Sequence, residues 1–277
     1  MTLHFAKMQG AGNDFIVVNN MEEHIPLSDF PDIARLLCRR KFSVGADGLL
    51  VLDAPKKGGD VAVFVFNSDG SEAEMCGNGA RCVTRYGIEK GLSAGNMLRM
   101  EAAAGIVTGE RTGPGEYRVR LNDPTVLEAH RTVRAAGREW DAGYTELGDP
   151  GIPHAVVVTD ARPETLLEEG RALRQSDAFP RGANVSFCRL VGENAVEAAT
   201  YERGVEDFTL ACGTGAGAIT AILTLRGLVS GKNVKIKMPG GTLSVSLRRE
   251  NDRITELFLT GPARVTAWGE TKLEEET

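Results

Sequence analysis

Two short stretches of this chain set a cysteine ahead of a glycine-rich turn: Cys76-Gly-Asn-Gly-Ala80 and Cys212-Gly-Thr-Gly-Ala216. Each leads into a segment that reads as a helix, Ala80–Lys90 ending at Gly91 and the apolar Ala216–Leu225 closed by Gly227. The first N–H groups of a helix have no internal partner, and the dipole there is positive. A cysteine at that place is expected to have a lowered pKa and a larger thiolate fraction. The flanking glycines let a ligand approach the backbone, so the free N–H groups could hold a carboxylate. One such turn alone is more often packing than chemistry, because free cysteine is among the most buried residue types. Two copies suit a two-base proton exchange, in which a thiolate removes an α-proton from one face and a thiol supplies one to the other.

The elements that must position these cysteines are also written twice. The second cysteine motif follows the first by 136 positions. Ala103-Ala-Gly-Ile-Val107 is loosely echoed by Pro239-Gly-Gly-Thr-Leu243, and Gly12–Val18 by Gly151–Val157. That period is far longer than a solenoid repeat, and it predicts two pseudo-symmetric halves. Val61–Phe66 reads as a strand with a turn at Asn67–Gly70, and Ala195–Tyr201 reads as its counterpart, with Phe208–Ala211 leading into the second motif. Paired strands are expected at Met97–Glu101 with Tyr117–Leu121, and at Val234–Met238 with Leu243–Leu247. A last strand, Ala263–Trp268, is expected to cross back to the first half. The fold class is therefore α/β (α+β). One half is residues 1–118 completed by 264–277, and the other is 119–263. A pseudo-two-fold relation would bring both helix starts to a ligand cleft between the halves.

Bulk properties exclude several classes. The 277 residues carry 32 Lys and Arg against 38 Asp and Glu, and the longest basic run is Arg39-Arg-Lys41, too short for a nucleic-acid footprint. No uncharged apolar stretch reaches bilayer length and the N-terminus has no signal-peptide core, so a cytoplasmic, non-membrane protein is expected. Five cysteines, an odd number, point to free thiols. The four histidines show no metal-ligand spacing, and Gly213-Thr-Gly-Ala-Gly217 lacks the acid that a dinucleotide fingerprint places about 20 residues on.

The chain resembles the diaminopimelate epimerase family. The resemblance is carried by Met8–Phe15, Gly45-Ala-Asp-Gly48, Phe66–Ser71, Met75–Cys82, Tyr201-Glu-Arg-Gly204, Ala211–Ala216 and Met238-Pro-Gly-Gly241, in family order across nearly the whole chain. It implies two domains, each a barrel-like sheet around a central helix, and interconversion of L,L- and meso-diaminopimelate on the lysine and peptidoglycan route. It implies no cofactor, neither pyridoxal phosphate nor metal, and a dimer whose domains close on an amino-acid substrate. Cys76 and Cys212 would be the acid/base pair, with Cys212 accepting and Cys76 donating in the L,L to meso direction. Asn13, Asn67, Asn184 and Arg203 would hold the distal end of the substrate. Gly77, Asn78, Gly213 and Thr214 would hold the reacting carboxylate. Glu202 would line the site, and His154 and Glu202 would tune the cysteines.

Residue chemistry is compatible with these roles. Arginine binds carboxylates bidentately, and asparagine offers donors and an acceptor without charge. It leaves alternatives open: Asn67 and Asn78 also suit glycine-rich turns, His154 an apolar core, and Glu202-Arg203 a surface ion pair. The chain departs from the family at Ile152, where Gly-Asn-Pro-His is frequent, at Gly48 in place of glutamine, and at Phe208 in place of an acid. These departures bear on the distal end of the substrate. Three rivals therefore stand beside the epimerase: a two-cysteine racemase of another amino acid, a non-catalytic amino-acid-binding protein, and a thiol redox sensor.

Overall fold

The computed structural model describes residues 2–73, 76–103 and 105–273. Met75 of the first cysteine motif, Ala104 of the internal repeat, and residues 274–277 of the segment expected to complete the first half lie outside them. The chain divides into two compact units, Met1–Val119 with Gly261–Thr277, and Arg120–Thr260.

Both units are mixed sheets with the same pairing logic. In the first, Arg264–Lys272 pairs antiparallel with Thr2–Gly10, which pairs antiparallel with Asn13–Asn19. Asn13–Asn19 runs parallel to Gly48–Asp53, Gly48–Asp53 antiparallel to Val61–Asn67, and Val61–Asn67 parallel to Met97–Ala102. Gly105–Gly113 and Glu116–Arg120 follow antiparallel. The second unit repeats the string with Pro124–Ala135, Arg138–Gly148, Gly151–Val158, Asn184–Gly192, Ala195–Glu202, Val234–Met238, Gly241–Glu250 and Arg253–Pro262. The C-terminal strand Arg264–Lys272 thus does in the first unit what Pro124–Ala135 does in the second.

Parallel neighbours need a crossover, and each crossover carries a helix. Phe30–Leu37 and Leu167–Arg174 occupy the first crossover of each unit. Gly77–Glu89 and Gly213–Leu225, the two cysteine helices, occupy the second. Each cysteine helix packs against strands spread along its unit's sheet: Gly77–Glu89 touches Thr2–Gly10, Asn13–Asn19, Gly48–Asp53, Met97–Ala102 and Gly105–Gly113. The sheet therefore curls around the helix. Its outer face packs on the other helix, where Ile16, Val18, Leu49 and Val51 meet Phe30, Ile33 and Leu37. Strands covered on both faces read as continuous apolar runs, which is why Leu49–Leu52 does not alternate with polar residues.

Two positions let the central helices come close. A Cβ on Gly109 would lie 1.8 Å from Thr84 Oγ1, and one on Gly143 would lie 2.3 Å from Ile222 Cγ2. One sequence expectation is overturned. Met97–Ala102 pairs with Gly105–Gly113 and not with the strand expected at 117–121, which forms as Glu116–Arg120 and pairs with Gly105–Gly113 from the other side. The intervening strand carries three glycines and exposes much of one face, so its composition reads as loop. No helix among the described residues is long and apolar enough to cross a membrane.

Candidate active site

Both cysteines sit at the N-caps of the two topologically equivalent helices. Cys76 has extended backbone angles of φ −125° and ψ 118°, and Cys212 has φ −113° and ψ 113°. Each carbonyl accepts the first helical bond, from Ala80 N at 2.7 Å and from Ala216 N at 3.0 Å. Each helix therefore begins at the residue after the cysteine, earlier than residue preferences place it. Gly77 and Gly213 are the first helical residues.

In the first unit the half-buried Cys76 thiol lies 3.5 Å from Asn13 Oδ1, which also accepts from Asn78 Nδ2 at 3.3 Å. Cys76, Asn13 and Asn78 thus form one cluster. Asn67 does not join it by any hydrogen bond among the described residues. Its exposed amide donates to Ser71 Oγ at 2.9 Å, inside the turn that follows its strand.

In the second unit the buried Cys212 sulfur accepts from Gly215 N at 3.3 Å and lies 3.5 Å from Thr214 Oγ1. Glu202 is hydrogen-bonded to Cys212 and receives the Thr209 hydroxyl. Asn184 Oδ1 accepts from Arg203 N at 2.8 Å, and the exposed Arg203 guanidinium donates to Arg181 O at 3.0 Å. His154 pairs in register with Asn184 on the neighbouring parallel strand.

Electrostatics differ from the expectation for a helix start. Burial, with the Glu202 carboxyl beside it, pushes the Cys212 thiol well above the ordinary range, although Thr214 and the Gly215 N–H pull the other way. Burial likewise raises Glu202 against the lowering hydrogen bonds of Thr209 and Cys212. Desolvation and a like charge in contact outweigh the helix terminus, and Cys212 rests as a thiol. His154 is fully buried, both ring nitrogens lack a hydrogen-bond partner, and burial plus the Arg203 charge lower its pKa to about 3. It rests as a neutral imidazole.

That burial is a testable linkage. The unfolded chain binds a proton on His154 near the ordinary 6.5, and the folded chain does so only near 3. The unfolded state therefore binds more protons across that interval, so the contribution is complete above about pH 6.5 and is lost as the pH falls toward 3. His154→Gln is expected to flatten this part of the stability curve by an amount of the order of a few kcal/mol, read from urea midpoints between pH 7 and 4. Parallel curves for the two proteins would contradict it.

Sequence reasoning missed Thr209 and Arg181. Thr209 stands three residues before Cys212, and a hydroxyl so close to the motif is the one available signal. Arg181 bonds Glu146, donates to Gly151 O at 3.2 Å, and offers its carbonyl to Arg203, contacts that no spacing reveals. The three departures acquire structural reasons or places. Phe208 packs edge-on against Tyr201 and Phe187, with ring centroids 6.1 Å and 6.4 Å away, so it belongs to an aromatic cluster. A Cβ on Gly48 would meet Phe66 O at 2.7 Å, so a side chain there requires the adjoining backbone to move. Ile152 is half-buried and pairs with Leu147. Among the described residues no group of three or more His, Cys, Asp or Glu is arranged to hold a metal.

The two-unit fold is one shared by solved structures of an epimerase and of a PhzF-family protein. A hydroxyproline epimerase from Agrobacterium vitis matches 99% of this chain and 93% of its own with a TM-score of 0.74 at 18% identity. A PhzF-family phenazine biosynthesis protein from Bacillus anthracis matches 99% and 100% with a TM-score of 0.75 at 13% identity. Within that architecture, the sequence model of the diaminopimelate epimerase family matches residues 5–127 and 148–266. The diaminopimelate epimerase of Aquifex aeolicus is 38% identical over 94% of this chain and 94% of its own. That of Archaeoglobus fulgidus is 36% identical over 99% and 98%. The chain belongs to the diaminopimelate epimerase family, a family of isomerases.

Proposed function

We propose that this protein interconverts L,L- and meso-diaminopimelate in the cytoplasm, on the route to lysine and peptidoglycan, by proton transfer between the α-carbon and two cysteines. The observation that carries the reading is the pair of cysteines at the N-caps of equivalent helices in a member of this family. The N–H groups of the helix starts at Gly77-Asn78 and Gly213-Thr214 receive the reacting carboxylate and so draw charge away from the carbanion as it forms. Glu202 takes the Cys212 proton, and the resulting thiolate removes the α-proton. Cys76 then delivers its thiol proton to the opposite face. Thr209 holds Glu202 in place for the first transfer. His154, neutral and unpartnered, offers ring nitrogens to the bound substrate or thiol without adding charge. Arg203, Asn184, Asn13 and Asn67 bind the distal amino and carboxylate groups. None of the five cysteines is in a disulfide, which suits a thiol mechanism in a reducing compartment.

Turnover of L,L-diaminopimelate to the meso isomer, followed by chiral chromatography, is the expected result. A parallel panel of other amino acids in D₂O tests the nearest alternative, which the apolar Ile152 keeps open. Exchange of the α-proton in another amino acid with none in diaminopimelate would overturn the substrate assignment.

A further inference from the structure

The Gly45-Ala-Asp-Gly48 stretch and the buried Arg81 have no part in the chemistry above, yet they end the same hydrogen-bond chain. Asp47 Oδ2 accepts from Asn13 Nδ2 at 2.7 Å. Asn13 Oδ1 accepts from Asn78 Nδ2 at 3.3 Å, and Asn78 Oδ1 accepts from Arg81 Nη2 at 2.8 Å. A carboxylate only accepts and a guanidinium only donates. With those ends fixed, both amides have one orientation. Turning Asn13 over would set its oxygen against Asp47 and its NH2 against the Asn78 NH2. Turning Asn78 over would set its NH2 against Arg81.

Both ends are anchored. Asp47 also accepts from Asp14 N at 3.0 Å through Oδ2 and from Arg40 Nη2 at 2.8 Å through Oδ1. Asp14, which bonds Arg40 and Lys7, keeps Arg40 in place. Arg81 is wholly buried and donates as well to Gly77 O at 3.2 Å and Pro262 O at 3.4 Å.

We infer that Asp47 and Arg81 are positioning residues that hold the Asn13 carbonyl oxygen toward Cys76, keeping that cysteine hydrogen-bonded as a thiol and ready to give its proton. This rests on the reading of Cys76 as a proton carrier. An acceptor facing the sulfur favours S–H, whereas an NH2 facing it would favour the thiolate. A thiol is the state that the donor role requires of Cys76 in the L,L to meso direction.

Asp47→Asn separates this role from a structural one. In that variant the new amide must set its NH2 either against Arg40 or against Asn13 Nδ2 and Asp14 N, and in the second arrangement Asn13 is relieved only by turning its own NH2 toward Cys76 and Asn78. Asp47→Ala removes the acceptor and introduces no donor. Rates of Cys76 alkylation by iodoacetamide at pH 7 are read by peptide mass spectrometry on the substrate-free chain, with Cys212 as internal reference. Asp47→Asn is expected to raise the Cys76 rate about three- to tenfold, since a tenfold change in thiolate fraction corresponds to about one pKa unit. Asp47→Ala is expected to raise it less, and L,L to meso turnover should fall in the same order. A structural role predicts the opposite ranking, with alanine the worse. Unchanged Cys76 rates in both variants, or a larger effect of alanine, would overturn the assignment even where Cys76→Ala abolishes turnover. Full turnover by Cys76→Ala would instead remove the reading beneath it.

Discussion

Replacing Cys76 or Cys212 by alanine is expected to lower kcat/KM for L,L-diaminopimelate by about 10³-fold, within the range that a positioned proton carrier contributes. The two losses should differ in kind. With Cys76 gone, Cys212 can still take the α-proton of the L,L substrate and return a solvent-derived one to the same face. Slow deuterium uptake without inversion should survive in Cys76→Ala. With Cys212 gone, the L,L substrate loses both exchange and inversion, and residual exchange moves to the D-centre of the meso isomer. The signature is read by mass spectrometry and chiral chromatography in D₂O. A misfolded variant shows neither half of it, and the denaturation midpoints of both variants check that point. Alanine is close in size to cysteine, and Cys212 is 5% exposed, so loss of its sulfur is a small packing change. Normal turnover by either variant would remove the two-base mechanism. It would favour an amino-acid-binding protein whose cysteines are structural.

How the proton leaves Cys212 matters for that result. Its thiol is pushed up by burial and by Glu202, so no standing thiolate waits at neutral pH. In the proposed mechanism the carboxyl that raises the thiol is also its proton acceptor. A cationic substrate ammonium would relieve the cost of two neighbouring anions, which couples activation to occupancy. The arrangement of Cys76 is different in kind. There one neighbour is a neutral amide oxygen whose direction is fixed by hydrogen-bond polarity.

Parts of this arrangement were legible in the sequence for physical reasons. Glycines after each cysteine followed by an apolar run mark a helix start, and the start lies one residue beyond the cysteine in both copies. The repeat was legible because equivalent crossovers need equivalent turns. Ala102–Gly105 and Met238–Gly241 are both hairpin ends, where the two segments echo each other. Gly105–Gly113 was not legible, because three glycines and a wet face give the strand the composition of a loop. The raised Cys212 thiol was not legible either. Helix position is local and can be read from spacing, whereas burial is set by the enclosing sheet and reverses the sign. Asp47 was visible as part of a motif, but its bond to Asn13 spans 34 residues and that of Asn13 to Asn78 spans 65. Such contacts exist only once the strands have paired.

The matched glycines Gly79 and Gly215 should respond unequally to alanine, although they occupy the same place in the two helices. At Gly215 a Cβ would lie 2.7 Å from Thr200 Oγ1, 3.1 Å from Cys212 Cβ and 3.2 Å from Cys212 Sγ. Thr200 cannot readily retreat, since it is 1% exposed and its hydroxyl is paired with Ser186 Oγ at 2.9 Å. The new methyl must therefore push on the cysteine and lengthen the Gly215 N–H contact to its sulfur. The contacts with Cys212 require a shift of a few tenths of an ångström, and since a full 1 Å costs roughly 10² in rate, Gly215→Ala is expected to lower kcat by about tenfold. At Gly79 a Cβ meets Leu50 Cδ2 at 3.1 Å and Cys76 Cβ at 3.5 Å. The leucine methyl is the far end of a flexible side chain and can shift without moving the thiol. The loss in Gly79→Ala should be smaller than at Gly215 by about an order of magnitude. Steady-state kinetics on both variants, with unfolding midpoints alongside, checks the contrast. Equal losses at the two sites, or a normal kcat in Gly215→Ala, would mean that crowding of the Cys212 sulfur does not govern the reaction.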